Sequence, residues 1–345
     1  MKTEKIKEYS YLRALACIAI IFIHVLNMGI SRFAASIPTT YMAYWSVLNN
    51  MKWGVPAFMM VTGMLLLDPE RKVTYPKLFS SYVARALKAL ICFGVIFTVL
   101  DTIYAAGTGS NPGETFKNGI YAVFAGQSWA HLWYLYALIG LYLLLPFYRM
   151  IAAKARQQDM KYLLGVYIAF LSILPFVTGW DIKIGFYIHV SSIYPFWMFF
   201  GFYLKKWGFK KNFSHYLIWT VIATAAIIIV TVIRWKLLIN PLDRLFNYSS
   251  VLVILQTYGI TGMVHYLKMR DDGKADRFLL AADRHSFGIY LIHMIFIWLA
   301  YTVLKWDPFL HGGFLGVVLL VVISFVLAWI ADIFLRKVPF FNKIL

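Results

Sequence analysis

The stretch Tyr11–Met28, YLRALACIAIIFIHVLNM, decides how this chain is read, because a long apolar run here carries Arg13 and His24 where a plain membrane anchor would carry no ionisable group. The two stand eleven positions apart, about three helical turns or ~16 Å of axial rise, so they project from nearly the same helix face. A polar group in hydrocarbon is costly unless it faces a partner or a wet cavity, which predicts that this face lines a cavity. The plainer alternative has Arg13 snorkelling to the headgroups and His24 bonding a neighbouring helix's carbonyl.

Composition supports the membrane reading. Hydrophobic residues make up 61% of the 345 and charged residues 14%, with a mean hydropathy of +0.70, outside the range of soluble domains. The net charge of +18 falls in short clusters between apolar runs rather than along one basic face, which argues against nucleic acid. Cys17 and Cys92 both sit inside apolar runs, offering neither a disulfide framework nor a cysteine zinc site. Lys2, Lys5 and Lys7 ahead of the first run give it the look of a secretory signal, but its length and its Arg13 and His24 argue for a permanent span.

The fold class expected is an all-α polytopic membrane protein of about ten transmembrane helices, forming a single domain over residues 1–345. The spans fall at 10–31, 42–67, 80–105, 132–150, 161–179, 191–207, 215–235, 248–268, 285–305 and 313–335. Lys and Arg crowd the amino terminus, the connections after the even-numbered spans (Arg71, Lys72 and Lys77 in the first) and the tail, where Arg336, Lys337 and Lys343 lie. This asymmetry places both termini in the cytoplasm. The connection at about 106–131 is then external, with Gly107, Gly109, Pro112 and Gly113 marking turns. No internal repeat or low-complexity tract is visible.

Several polar residues fall where lipid is expected. Arg85 and Lys88 open the third span and could join Arg13 in a basic pocket for a cytosolic anion. In the second span, Asn49-Asn50-Met51-Lys52-Trp53-Gly54-Val55-Pro56-Ala57-Phe58 reads as an interrupted helix, followed by a small-residue patch, Val61-Thr62-Gly63-Met64, suited to close helix contact. His131 and Trp133 open the fourth span, and His293 lies several residues into the ninth. Asp101 is a candidate orienting carboxylate, whereas His265 and Asp332 read as interfacial. The three histidines show no local metal-ligand spacing, so no metal is expected.

Taken in order, Arg13 and His24, the run Pro56-Ala57-Phe58-Met59-Met60-Val61-Thr62-Gly63, the basic start of the third span, His131-Leu132-Trp133-Tyr134-Leu135 and Tyr290-Leu291-Ile292-His293 resemble the acyltransferase 3 family over essentially the whole chain. Two departures are small: Ala14 where the family often has Gly after the arginine, and Thr62 where it has Ser. No fused esterase-like domain, such as some members carry, is expected, so delivery to a distant glycan is expected to need either a direct acceptor or another envelope-assembly protein as partner. The resemblance implies transfer of an acyl group, commonly acetyl, from cytosolic acyl-CoA to a hydroxyl of a cell-surface carbohydrate, at the bacterial plasma membrane. It casts Arg13 and Arg85 as holders of the coenzyme phosphates and His24 as general base or covalent acyl carrier. His131, Trp133 and His293 would shape the acceptor end. Two rivals stand beside it: a transporter of a small solute such as an amino acid, using Arg13 and His24 as a relay around the broken second span, and a structural or regulatory membrane partner.

Overall fold

The computed structural model describes residues 7–33, 38–185, 192–267, 273–309 and 311–345, and among these every regular element is helical. Among the described residues seven helical stretches are long and apolar enough to cross a membrane: Lys7–Arg32, Tyr75–Gly107, Pro112–Lys154, Gln157–Thr178, Phe213–Leu237, Lys274–Val303 and Gly313–Leu335. Three further segments near the other expected spans are shorter or divided. In chain order the helices are α1 (Lys7–Phe33), α2 (Pro38–Met51), α3 (Gly54–Leu66), α4 (Tyr75–Gly107), α5 (Pro112–Ala125) and α6 (Trp133–Lys154). They continue as α7 (Gln157–Thr178), α8 (Tyr194–Tyr203), α9 (Phe213–Leu237), α10 (Val251–Tyr266), α11 (Lys274–Val303), α12 (Gly313–Leu335) and the short α13 (Pro339–Asn342).

Local chemistry sets the boundaries. Asn111 caps α5 by accepting from the Glu114 amide at 3.2 Å, with Pro112 in the first turn, and Gly126 ends it in the left-handed region at φ 74°. Asn212 and Ser250 cap α9 and α10 in the same way. The interruption read from Gly54 and Pro56 lies at Lys52-Trp53, between α2 and α3. Pro56 has no N–H for the Lys52 carbonyl four residues back, and its ring crowds that oxygen.

Helix α1 is the central post. Ala14, Ala16, Ile21, Val25 and Leu26 are all fully buried, on several faces of one helix, because α11, α3, α2 and α12 surround it. The small-residue patch of α3 makes the closest crossing. A Cβ added to Gly63 would lie 2.0 Å from the Met198 carbonyl oxygen, and one added to Gly201 would lie 2.2 Å from that of Met60. Backbone meets backbone there, as small residues at membrane helix crossings allow. Gly63→Ala should therefore force α3 and α8 apart at a cost of about 1–3 kcal/mol. A lowered thermal midpoint in detergent is the readout, and an unchanged midpoint would mean the crossing is loose.

Candidate functional site

Helices α1 and α11 run parallel in one fixed register. Lys7 Nζ donates to Asp276 Oδ2 at 3.1 Å, and Arg13 holds Asp283 bidentately through Nε at 2.6 Å and Nη2 at 3.0 Å. Cys17 Sγ approaches the Ser286 carbonyl at 3.7 Å, and Arg32 Nη1 donates to the Tyr301 carbonyl at 2.9 Å. The partners in these four pairs are offset by 269 or 270 residues, and the same register sets His24 beside His293, with ring centroids 5.2 Å apart. Arg13 and His24 thus share a face, as their spacing predicts, and that face is turned to α11.

Arg13 opens into a cavity of about 550 Å³ that also takes in Lys77, Arg85, Arg284, Ser81, Tyr82 and Asp283. Four cations stand against one side-chain carboxylate, Asp283, and the main-chain oxygen of Leu345, so the cavity keeps an excess of positive charge and attracts anions. A π-helical turn over Leu78–Val83 presents Ser81 and Tyr82 to it, a distortion that often marks functional sites. Arg85 lies 5.0 Å from the Phe287 ring centroid and donates through Nε to the Ile344 carbonyl at 2.8 Å and through Nη2 to the Leu345 main-chain oxygen. Lys88, considered with Arg85 from the sequence, is exposed and lies outside this cavity.

The deep wall of the cavity is built by Ile20, Phe58, Tyr134 and Tyr290. Tyr290 faces both sides of that wall, because its ring also lies 5.8 Å from His131 and 6.0 Å from His293, and its hydroxyl donates to the His131 carbonyl. One turn beyond Ile20 stands His24. Three helices therefore bring three imidazoles together, with His24–His131 centroids 6.1 Å apart and His131–His293 centroids 5.6 Å apart.

The three are not equivalent. His131 and His293 are fully buried, and each has one ring nitrogen against a backbone carbonyl: His131 Nε2 at 3.3 Å from Leu291 O, His293 Nδ1 at 3.1 Å from Ile289 O. Their other nitrogens, His131 Nδ1 and His293 Nε2, have no hydrogen-bond partner among the described residues. His24 keeps partial exposure, which makes it the accessible member. Among the described residues no set of three His, Cys, Asp or Glu side chains is arranged to hold a metal.

Trp133 sits in the middle of a row of rings, stacked with Tyr194 at 5.3 Å and with Tyr248 at 5.8 Å. Asp101 does not reach the histidines: it accepts from Trp129 Nε1 at 2.7 Å, and Trp129 stacks on Phe97 at 4.3 Å, whose ring in turn meets His131 at 5.1 Å. Asp332, expected at the interface, is fully buried. It is held by His285 Nδ1 at 2.5 Å and Arg336 Nε at 2.6 Å, in space left by Gly288. His265 pairs with Glu8 and stacks on Phe209 at 3.9 Å.

Asp283, Arg284, Lys77, Tyr134 and Tyr290 complete the site and were not assigned to it by the sequence reading. Asp283 carried a signal, since it precedes His293 by ten positions on α11 much as Arg13 precedes His24 by eleven on α1. No curated protein and no solved structure matches this chain. The order of motifs along the chain and the joint basic and histidine site agree with one family assignment: this membrane protein belongs to the acyltransferase 3 family, whose acyltransferase-domain model matches residues 6–333, nearly the whole of its length.

Proposed function

We propose that the chain is an O-acyltransferase of the bacterial plasma membrane, moving an acyl group, acetyl foremost, from cytosolic acyl-CoA to a hydroxyl of a cell-surface glycan or lipid-linked sugar. The observation that carries this reading is the pairing of a four-cation cavity with a three-histidine cluster, separated by the single wall to which Tyr290 belongs. In this reading about ten segments span the bilayer and both termini are cytoplasmic, because the basic loops lie at the end where α1 begins. The cavity then opens to the compartment that supplies the thioester.

Arg13, Lys77, Arg85 and Arg284 would hold the coenzyme phosphates by charge-assisted hydrogen bonds. The pantetheine arm would pass the Tyr134–Tyr290 wall and set the thioester carbonyl near His24. His24 would take the proton from the acceptor hydroxyl as its oxygen attacks that carbonyl, the C–S bond breaks, and the coenzyme thiolate leaves and is protonated. In the covalent variant His24 itself attacks and hands the acyl group on. His131 and His293, fixed by backbone carbonyls, would orient the acceptor.

The test uses the protein in membranes with acyl-labelled acetyl-CoA and envelope glycans of the host. Label should move to glycan, and Arg85→Ala should raise the KM for the donor about ten- to a hundredfold, the value of one or two charged hydrogen bonds, with kcat little changed. Donor-independent accumulation of a solute in vesicles, with no label transfer, would replace the enzyme by a transporter.

A further inference from the structure

Lys52 is a cation at mid-membrane depth that the chemistry above does not use. Its level is fixed by Gly54, where an added Cβ would lie 2.9 Å from the Ala16 carbonyl oxygen and 3.2 Å from both Ala19 Cβ and Ile20 Cγ1. Ala16 to Ile20 is the middle of the 27-residue α1, and Ile20 is one turn, ~6 Å of rise, short of His24. An ammonium at such depth is retained where it meets a counter-charge or a functional partner.

Among the described residues the one carboxylate whose field reaches Lys52 is that of Asp243. Among these residues the ammonium forms no ion pair or side-chain hydrogen bond, and it lies 6.0 Å from the Phe246 ring centroid. Asp243, on the same 3-10 turn as Phe246, is already gripped by Arg234 through Nε at 2.8 Å and Nη2 at 2.9 Å. Two more groups at the break are incomplete: among the described residues Asn49 Oδ1 and Gln256 Oε1 are buried acceptors without donors, although Gln256 Nε2 donates to Asn50 Oδ1 at 2.9 Å. Two cations, Arg234 and Lys52, thus share one carboxylate that only Arg234 bonds, and the uncompensated ammonium together with oxygens lacking donors suits a ligand that carries an oxyanion and hydroxyl groups.

A run of rings leads from near the break to the histidines. Phe246 is two residues from Tyr248, Tyr248 stacks on Trp133 at 5.8 Å, Trp133 meets Tyr134 at 6.1 Å, Tyr134 meets Tyr290 at 5.5 Å, and Tyr290 meets His131 at 5.8 Å. We propose that this run is the acceptor subsite and that Lys52 selects an anionic saccharide, one bearing a carboxylate or a phosphodiester. The proposal rests on the transferase reading for its catalytic meaning, but the binding it requires stands by itself.

The test measures binding to the full chain in nanodiscs of zwitterionic lipid, by calorimetry. The probes are a hexuronic acid disaccharide, the methyl ester of that disaccharide, and a hexosyl glycerol phosphodiester. At least one charged probe should bind about tenfold or more tighter than the ester, as a single charge-assisted contact provides, and added salt should erode the difference. Lys52→Gln should abolish that preference and Lys52→Arg should keep it. Which charged probe binds better separates carboxylate from phosphodiester. Equal binding of acid and ester by the wild type, a preference that survives Lys52→Gln, or binding of none of the probes would overturn the proposal. Should Lys52→Gln fail to fold, the wild-type comparison and its salt dependence decide. Label transfer from acetyl-CoA to the same probes separates the two readings. Charge-selective binding without any transfer would sink the transferase and leave the anion site, whereas equally fast transfer to acid and ester would sink the Lys52 subsite alone.

Discussion

His24→Ala is expected to lower acyl transfer by about 10²- to 10⁴-fold, the usual contribution of a positioned general base, while the protein stays folded. The expectation separates His24 from its neighbours on structural grounds. His24 is partly exposed, whereas His131 and His293 are fully buried with one nitrogen each against a backbone carbonyl. Truncating His131 or His293 opens a hole in the core and strips a carbonyl of its contact, so stability should fall together with rate. Truncating His24 should remove rate alone. Label transfer and size-exclusion profiles of the three variants in detergent make the comparison, and transfer by His24→Ala within about threefold of wild type would remove His24 from the chemistry. Exposure of the wild type to labelled donor without acceptor discriminates the two routes. Label retained on the protein and lost in His24→Ala supports an acyl-imidazole, and its absence supports the base.

How much of this was legible in the sequence depends on whether the information is local. The shared face of Arg13 and His24 follows from helical periodicity, and the break at Lys52-Trp53 follows from Pro56, because both causes act within a few residues. The close crossing at Gly63 was also readable as a small-residue patch. What periodicity does not supply is the partner. Asp283 neutralises Arg13 from a helix 270 residues away, and the register that unites them is set by packing along the whole of α1 and α11. Asp332 shows the same limit: near the end of an apolar run it reads as interfacial, yet Gly288 on the neighbouring helix leaves room for its carboxylate to be buried against His285 and Arg336. The resemblance casts Trp133 as shaping the acceptor end, and only the fold reveals that Tyr194 and Tyr248 stack on it.

Asp283→Ala should destabilise the protein by about 3 kcal/mol, the low end for breaking a buried pair, because Arg13 would be left without its carboxylate. The low end applies because the Arg13 side chain keeps 25% of its surface exposed against 1% for Asp283, so water and donor phosphates can solvate the stranded guanidinium. The pair also serves the proposed donor site, since Asp283 occupies Nε and Nη2 of Arg13 and so aims what remains of the guanidinium into the cavity. A charge swap, Arg13→Asp with Asp283→Arg, separates the two roles. If the pair only clamps α1 to α11, the swap should restore both thermal midpoint and transfer. If Arg13 also grips the coenzyme, the swap should recover much of the midpoint while the donor KM stays raised about tenfold or more, because the cation then approaches the phosphates from α11 instead of α1. A swap that recovers the midpoint together with a wild-type donor KM would take Arg13 out of donor binding and leave it as the clamp that holds His24 beside His293.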